Sequence, residues 1–110
     1  MNNVYPKLPL VSLIFLALHA DSALAADAVG RRVFTEWCTP CHMDSPFAAG
    51  TIQLKQVRGV DKAVIEKRHD LTEPLIRTLV RSGFAGMPKF RRTEISEEDL
   101  SALTKYLVKP

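Results

Sequence analysis

The chain of 110 residues contains only two cysteines, and both lie in one short segment, Cys38–His42. A framework of several disulfide bonds, which supports many small secreted domains, is therefore excluded. The main apolar run, Leu8–Leu18, includes a proline and a serine and is shorter than the roughly 20 residues that a membrane-spanning helix needs. The sequence also lacks repeats, low-complexity segments and the runs of β-branched residues that are typical of a central sheet. These absences leave a small domain without a sheet, a cross-linked framework or a membrane span.

The N-terminus has the features of a secretory signal peptide. Lys7 provides a charged start, Leu8–Leu18 a short apolar run, and Ala23–Ala25 a small-x-small cleavage site. We expect cleavage after the last of these alanines, so that residues 1–25 are removed and residues 26–110 form one exported domain. A retained membrane anchor is the disfavoured alternative because the apolar run is short. The predicted location is the periplasm.

The two cysteines belong to a Cys-x-x-Cys-His motif that predicts a c-type haem. Thiols in this spacing can each add to one vinyl group of the porphyrin, and the next side chain then lies under the iron. We therefore expect one covalent haem c attached to Cys38 and Cys41, with His42 as an axial ligand. Such a group also suits a small domain, because it adds a large apolar surface to a limited core.

The segment 37–41, Trp-Cys-Thr-Pro-Cys, is also similar to the dithiol active site of thioredoxin-like enzymes. In those enzymes the cysteines follow a buried strand within a β-α-β unit. Here the apolar side chains at positions 33, 34, 37, 38 and 41 follow helical spacing and not the alternation of a strand. A dithiol oxidoreductase is therefore a remote alternative.

The apolar pattern predicts an all-α fold in which helices wrap around the haem. The first helix is expected over Asp27–Cys41. A long loop should follow, in which Pro46, Gly50 and Gly59 interrupt regular structure. A short helix has a weak signal near Asp61–Lys67.

Two later helices have clearer boundaries. Thr72 can cap the third helix, which Gly83 ends. Ser96 can cap the last helix, and Ile95 can pack onto Leu100 as a hydrophobic staple. Contact between the first and last helices is one explanation for Gly30, which would admit a ring such as Tyr106. The alternative is that Gly30 merely starts the first helix.

The second axial ligand is predicted to be Met87. It lies in a segment rich in glycine and proline, between the third and last helices, and its thioether is a ligand type that raises the potential of haem iron. Met43 is next to the proximal histidine and cannot reach the opposite face of the haem. His69 lies in a polar stretch and is expected to be a solvated surface residue.

These residues resemble the class I cytochrome c family in the Cys38–His42 motif, the Gly86–Pro88 segment and the paired terminal helices. Within that class the chain is similar to the small cytochrome subunit of alkylphenol-oxidising flavocytochromes, the 4-cresol dehydrogenase (p-cresol methylhydroxylase) and eugenol hydroxylase group. This resemblance covers nearly the whole mature chain. The segments that carry it are Gly50–Lys55, Asp70–Glu73, Leu79–Phe84 and Met87–Ser96.

The resemblance implies that an FAD-containing flavoprotein oxidises a 4-alkylphenol and passes electrons singly to this cytochrome, which delivers them to a soluble periplasmic acceptor. The cytochrome alone would have no catalytic residue. A free soluble cytochrome that serves a terminal oxidase or reductase is the alternative. One departure concerns His42: many class I members have a proline after the glycine near position 50, and its carbonyl orients the imidazole, whereas Thr51 stands here.

The basic residues near Met87 predict a docking surface for acidic partners. A positive collar beside the haem edge would steer such partners, and an ordinary solvated surface is the alternative. The patch lacks nucleic-acid-binding motifs, so we expect no nucleic-acid partner. The residues of the predicted collar are Arg77, Arg81, Lys89, Arg91 and Arg92.

Overall fold

The computed structural model describes residues 24–110. The predicted signal peptide lies outside the described residues except for its last two positions. Within the described range the regular elements are α-helices, a π-helical segment and 3₁₀ turns, and an isolated antiparallel bridge joins Phe84 and Met87. The prediction of an all-α fold is confirmed.

The first helix, α1, is continuous but changes its winding. It is α-helical over residues 24–33, π-helical over Phe34–Cys38 and α-helical again over Thr39–His42. The prediction of Asp27–Cys41 therefore located this helix but missed its wider winding over Phe34–Cys38.

The prediction of a long loop after α1 was wrong, because a second helix, α2, occupies Ala49–Arg58. Gly50 lies in its first turn and does not interrupt it. A Cβ at this position would lie 2.6 Å from the His42 ring, so packing against the imidazole explains the glycine. Gly59 does end α2, with a φ of 94° that a glycine adopts readily.

The segment between α2 and the next helix contains two 3₁₀ turns, Val60–Lys62 and Ile65–Lys67, where a short helix was predicted. The third helix, α3, covers Glu73–Ser82 and ends at Gly83 as expected. Thr72 precedes α3 but makes no side-chain cap hydrogen bond.

The last helix, α4, covers Glu97–Leu107 and has the predicted cap. The Ser96 hydroxyl accepts a hydrogen bond from the Asp99 N–H at 3.0 Å. Ile95 and Leu100 are both fully buried in the core, which is consistent with the predicted staple. The cap and the staple together fix the start of α4 against α3.

The core forms where α1, α3 and α4 meet, and Gly30 allows the terminal helices to approach closely. A Cβ at Gly30 would lie 2.4 Å from the Ala102 carbonyl oxygen and 2.5 Å from the Tyr106 Cβ. The sequence left two explanations for Gly30 open, and the structure favours the close approach, because the helix begins before this residue. The buried members of the core are Val33, Phe34, Leu71, Ile76, Val80, Ile95, Leu100, Leu103, Tyr106 and Leu107.

Tyr106 links this helix crossing to the 3₁₀ turns. Its ring packs against Phe34 at a centroid distance of 6.0 Å, and its hydroxyl donates a hydrogen bond to the Glu66 carboxylate. The Cζ atom of Arg31 and the Nζ atom of Lys109 lie 5.4 and 5.2 Å from the centroid of the Tyr106 ring. Burial, and then the hydrogen bond to Glu66, raise the pKa of Tyr106 to about 12, so the hydroxyl remains a donor at neutral pH.

Replacing Gly30 with alanine should destabilise the protein. At an exposed helical position this change would gain about 1 kcal/mol of helix propensity. At Gly30 the new methyl group must displace the backbone of α4, so we expect a net loss of about 1–3 kcal/mol. The free energy of unfolding in urea measures the change, and Val29→Ala is the control on the same helix. A stabilised Gly30→Ala protein would contradict the close approach.

Candidate haem-binding site

The π-helical turns place the Cys-x-x-Cys-His motif at the end of α1. The Thr39 N–H donates to the Phe34 carbonyl oxygen, five residues earlier, and the Thr39 hydroxyl donates to the same oxygen at 3.3 Å. The wider winding keeps Trp37 and Cys38 packed against the core, as Phe34 is. Cys41, one turn further, is exposed. The two thiols therefore project from the last turns of one helix at the edge of the core.

The Cys38 thiol does not have the property that a redox dithiol requires of its nucleophile. Burial, and then the nearby Cys41, raise the pKa of the Cys38 thiol to about 12. A disulfide oxidoreductase needs a thiolate, and hence a thiol pKa below the ordinary value. The residues described also form no strand that could supply a β-α-β unit. Both findings count against the dithiol alternative.

His42 has a buried ring nitrogen without a hydrogen-bond partner and a lowered pKa. Its Nδ1 atom is buried and has no hydrogen-bond partner among residues 24–110. Burial lowers the pKa of His42, which favours the neutral form that binds metals. Gly50 of α2 packs against the ring, and the Thr51 hydroxyl donates to the Met43 carbonyl oxygen at 2.7 Å. Thr51 thus supports the turn after His42 and does not receive the ring proton with its hydroxyl.

These residues fit a haem c. Cys38 and Cys41 are free thiols that would hold the group through thioether bonds, and the lowered pKa of His42 favours the neutral imidazole that binds metals. The haem would supply reversible one-electron chemistry, while the protein holds it and shields it from water. Half-buried side chains on the core provide the apolar surroundings that such a group requires. They are Trp37, Cys38, Ile65, Met87 and Phe90.

Met87 lies in a tightly tied segment, Gly83–Phe90, which we call the Met87 loop. Phe84 and Met87 exchange two backbone hydrogen bonds, of 3.1 and 2.9 Å. Ala85, between them, has a φ of 51°, a value uncommon for a residue with a Cβ. Gly83 has a φ of 68°, and a Cβ there would lie 2.7 Å from the Met87 carbonyl oxygen. These backbone contacts fix the conformation of the loop around Met87, whose side chain packs against the core.

His69, the weaker candidate for an axial ligand, is exposed. Its neighbours form a surface ion pair in which two nitrogens of Arg68 donate to Asp70, each at 2.8 Å. The expectation of a solvated histidine agrees with this position. Met87 remains our prediction for the second ligand.

Three arginines of the predicted basic collar share one carboxylate, that of Glu97. Arg77, Arg81 and Arg92 contact Glu97 at 3.3, 3.0 and 2.9 Å. Partial desolvation raises the pKa of the Glu97 carboxyl, but the hydrogen bonds from Arg81 and Arg92 outweigh it and lower that pKa overall. Glu97 therefore stays ionised and offsets part of the positive charge.

Only part of the collar faces solvent. The side chains of Arg91 and Arg92 are 80% and 78% exposed, whereas that of Arg81 is 22% exposed. Arg77 is engaged by Glu73 at 2.7 Å as well as by Glu97. An open groove of about 410 Å³ runs beside the loop. Its lining residues are Arg81, Lys89, Phe90, Arg91 and Arg92.

The sequence did not predict the hydrogen bonds that Arg81 donates to Phe90 and Glu97, or the packing of Gly50 against His42. Neither has a short-range signal, because both depend on elements that meet only in the folded chain. The spacing of Gly50 from the motif was visible, but the helix that brings it back was not predicted.

A comparison with protein families completes this assignment. The model of a family described as cytochrome c oxidase, cbb3-type, subunit III, matches residues 25–107. The chain belongs to this family of cytochrome c domains. The match confirms the prediction of a class I cytochrome c and, with it, a haem-dependent electron carrier. No curated protein and no solved structure was found to match the chain.

The cytochrome domain accounts for the motif and the fold together. The family implies a haem c, and the chain has the two cysteines that such a thioether-linked group requires. Among the helices of residues 24–110, none combines the length and apolarity needed to cross a bilayer.

Proposed function

We propose that the protein is a periplasmic one-electron carrier, the haem c subunit of an alkylphenol-oxidising flavocytochrome. In this account residues 1–25 are cleaved as a signal peptide and residues 26–110 bind haem through Cys38 and Cys41, with His42 and Met87 as axial ligands. Electrons arrive from the FAD of a flavoprotein subunit and leave to a soluble periplasmic acceptor. The observation that carries the electron-transfer role is the family match over a domain that ends its first helix in Cys-x-x-Cys-His.

The choice of a flavoprotein partner is supported by the sequence segments similar to the 4-cresol dehydrogenase group. Two of them, Leu79–Phe84 and Met87–Ser96, coincide with the end of α3, the Met87 loop and the start of α4. That region contains both the proposed ligand and the basic groove.

A free cytochrome that delivers electrons to a terminal oxidase is the second candidate. The description of the matching family, which names a subunit of a cytochrome c oxidase, favours it. Both candidates use the same haem chemistry and differ in the partner that the protein meets.

The exposed part of the collar is the proposed docking surface. Lys89, Arg91 and Arg92 face solvent around the groove beside Phe90. Phe84, at the tip of the Met87 loop, is 72% exposed and adds an apolar contact. Positive charge around an apolar centre suits a partner with acidic residues around an apolar patch.

Haem reduction by a phenol tests the proposed function. Oxidised cytochrome should be reduced by 4-methylphenol only when a flavoprotein of the 4-cresol dehydrogenase group is present, as followed by haem absorbance after rapid mixing. The same extent of haem reduction with and without the flavoprotein would contradict the first candidate. If a terminal oxidase also oxidised the reduced protein rapidly, the second candidate would replace it.

Charge reversal at Lys89, Arg91 or Arg92 should slow that reaction. We expect a loss of severalfold or more in the second-order rate at low ionic strength, and a smaller loss at high salt, where charges are screened. Lys105→Glu in α4 is the matched control, since it removes an exposed cation outside the groove. Equal effects of the control and the three groove variants would remove the groove from the account and leave the haem assignment intact.

A further inference from the structure

The guanidinium of Arg81 connects the end of α3 to the segment that follows Met87. Its Nη1 atom donates to the Phe90 carbonyl oxygen at 3.2 Å. Its Nη2 atom donates to the Ser96 carbonyl oxygen at 3.4 Å and to Glu97 at 3.0 Å. One planar group therefore joins the last turn of α3, the end of the Met87 loop and the start of α4.

The backbone places a second tie at the same point. The Phe90 N–H donates to the Val80 carbonyl oxygen at 2.8 Å. Both polar backbone groups of Phe90 are thus bonded to residues in the last turn of α3, one through the backbone and one through Arg81. Phe90 is the fixed C-terminal end of the loop, and Gly83 is its N-terminal end.

The burial of Arg81 separates this role from docking. Its side chain is 22% exposed, whereas Arg91 and Arg92, on the loop side of the groove, are about four-fifths exposed. A charge that already makes three internal hydrogen bonds has few donors left for a partner. Removing a charged donor from partly buried acceptors costs more than removing an exposed charge.

We propose that Arg81 is a positioning residue for Met87: it holds the Phe90 end of the Met87 loop against α3, and so keeps the thioether close to the haem iron. This inference rests on the proposed ligation by Met87. Arg81 does not touch the haem in this account and acts only through the loop. Loss of Arg81 should leave the loop attached by Gly83 and by the Val80–Phe90 hydrogen bond, but with greater freedom to move away.

Binding of exogenous imidazole to the ferric holoprotein tests this role, because imidazole must displace the thioether. We expect Arg81→Gln to raise the affinity for imidazole about tenfold or more, the change that loss of a charged hydrogen bond predicts. Arg81→Lys keeps the charge but cannot bridge Phe90 and Glu97 together, so its affinity should lie between those of the wild type and Arg81→Gln. Arg77→Gln is the matched control: it loses a contact with Glu97 from the same helix but does not contact Phe90.

Hydrogen exchange of residues 84–90 provides a readout that does not depend on the iron. Exchange should be faster in Arg81→Gln than in Arg77→Gln, because the Met87 and Phe90 amides are protected by loop hydrogen bonds. Equal imidazole affinities in Arg81→Gln and Arg77→Gln would overturn the positioning role and leave the haem ligands unchanged. A Met87→Ala spectrum identical to that of the wild type would instead overturn Met87 ligation, and the positioning role with it.

Discussion

Replacing Cys38 and Cys41 together with alanine should abolish covalent haem attachment. The two thiols are free, they lie on successive turns of one helix end, and the chain has no other cysteine. Without thioether bonds, haem extracted with acidic acetone should leave the protein entirely. The wild-type protein should retain it, because thioether bonds survive that treatment.

The same double variant should also be much less stable than the wild type. The cytochrome domain is small, and the apolar side chains of Trp37, Met87 and Phe90 are only partly buried by the protein itself. Without the prosthetic group we expect loss of cooperative thermal unfolding and low recovery from the periplasm. Pro40→Ala, an exposed position inside the motif, is the control and should keep its haem. Retention of acid-stable haem by the double variant would contradict the attachment assignment.

Replacing Met87 with alanine should leave haem attached but lower its reduction potential. The thioether favours ferrous iron, and its loss should lower the potential by something on the order of 0.1 V, a fraction of the roughly 0.8 V that axial ligands span. The weak far-red absorption of methionine-ligated ferric haem should disappear as well. Redox titration followed by absorbance measures both changes in one sample.

His69→Ala is the control for the Met87 variant. His69 is exposed beside the Arg68–Asp70 ion pair, so its loss should change neither the potential nor the spectrum. A His69→Ala protein that lost the native spectrum, with Met87→Ala unaffected, would reverse the ligand assignment.

The sequence predicted the last two helices well because their signals are local. Ser96 caps α4 through a bond to a residue three positions later, and Gly83 ends α3 through its own backbone conformation. Such features need no information from distant residues. Gly30 was ambiguous for the opposite reason, since its role depends on Ala102 and Tyr106 at the other end of the chain.

Helix α2 was not predicted because the contact that explains its glycine is made with a residue of another helix, His42. A glycine in the first turn lowers the helix propensity by about 1 kcal/mol relative to alanine. The segment is also weakly amphipathic and buries only Thr51. Gly50 is required there by the imidazole of His42, a contact that no sequence window contains. The π-helical turns before Cys41 were missed too, because their apolar spacing is close to that of an α-helix.

The candidate site shows the same division between local and long-range information. Cys38, Cys41 and His42 were predicted from one motif, and Met87 from the residues that flank it. The role proposed for Arg81 was not predicted, because an arginine exposed to solvent and an arginine hydrogen-bonded within the protein have the same sequence pattern. Its bonds to Phe90, Ser96 and Glu97 separate the two interpretations.

The intact mass of the exported protein, measured under denaturing conditions, tests the central claim most directly. Cells competent in cytochrome c maturation should yield a polypeptide that begins at Ala26 and carries the added mass of one haem. Its proteolytic fragments should place that mass on the peptide containing Cys38 and Cys41. A mature protein with the mass of the bare polypeptide would contradict the account.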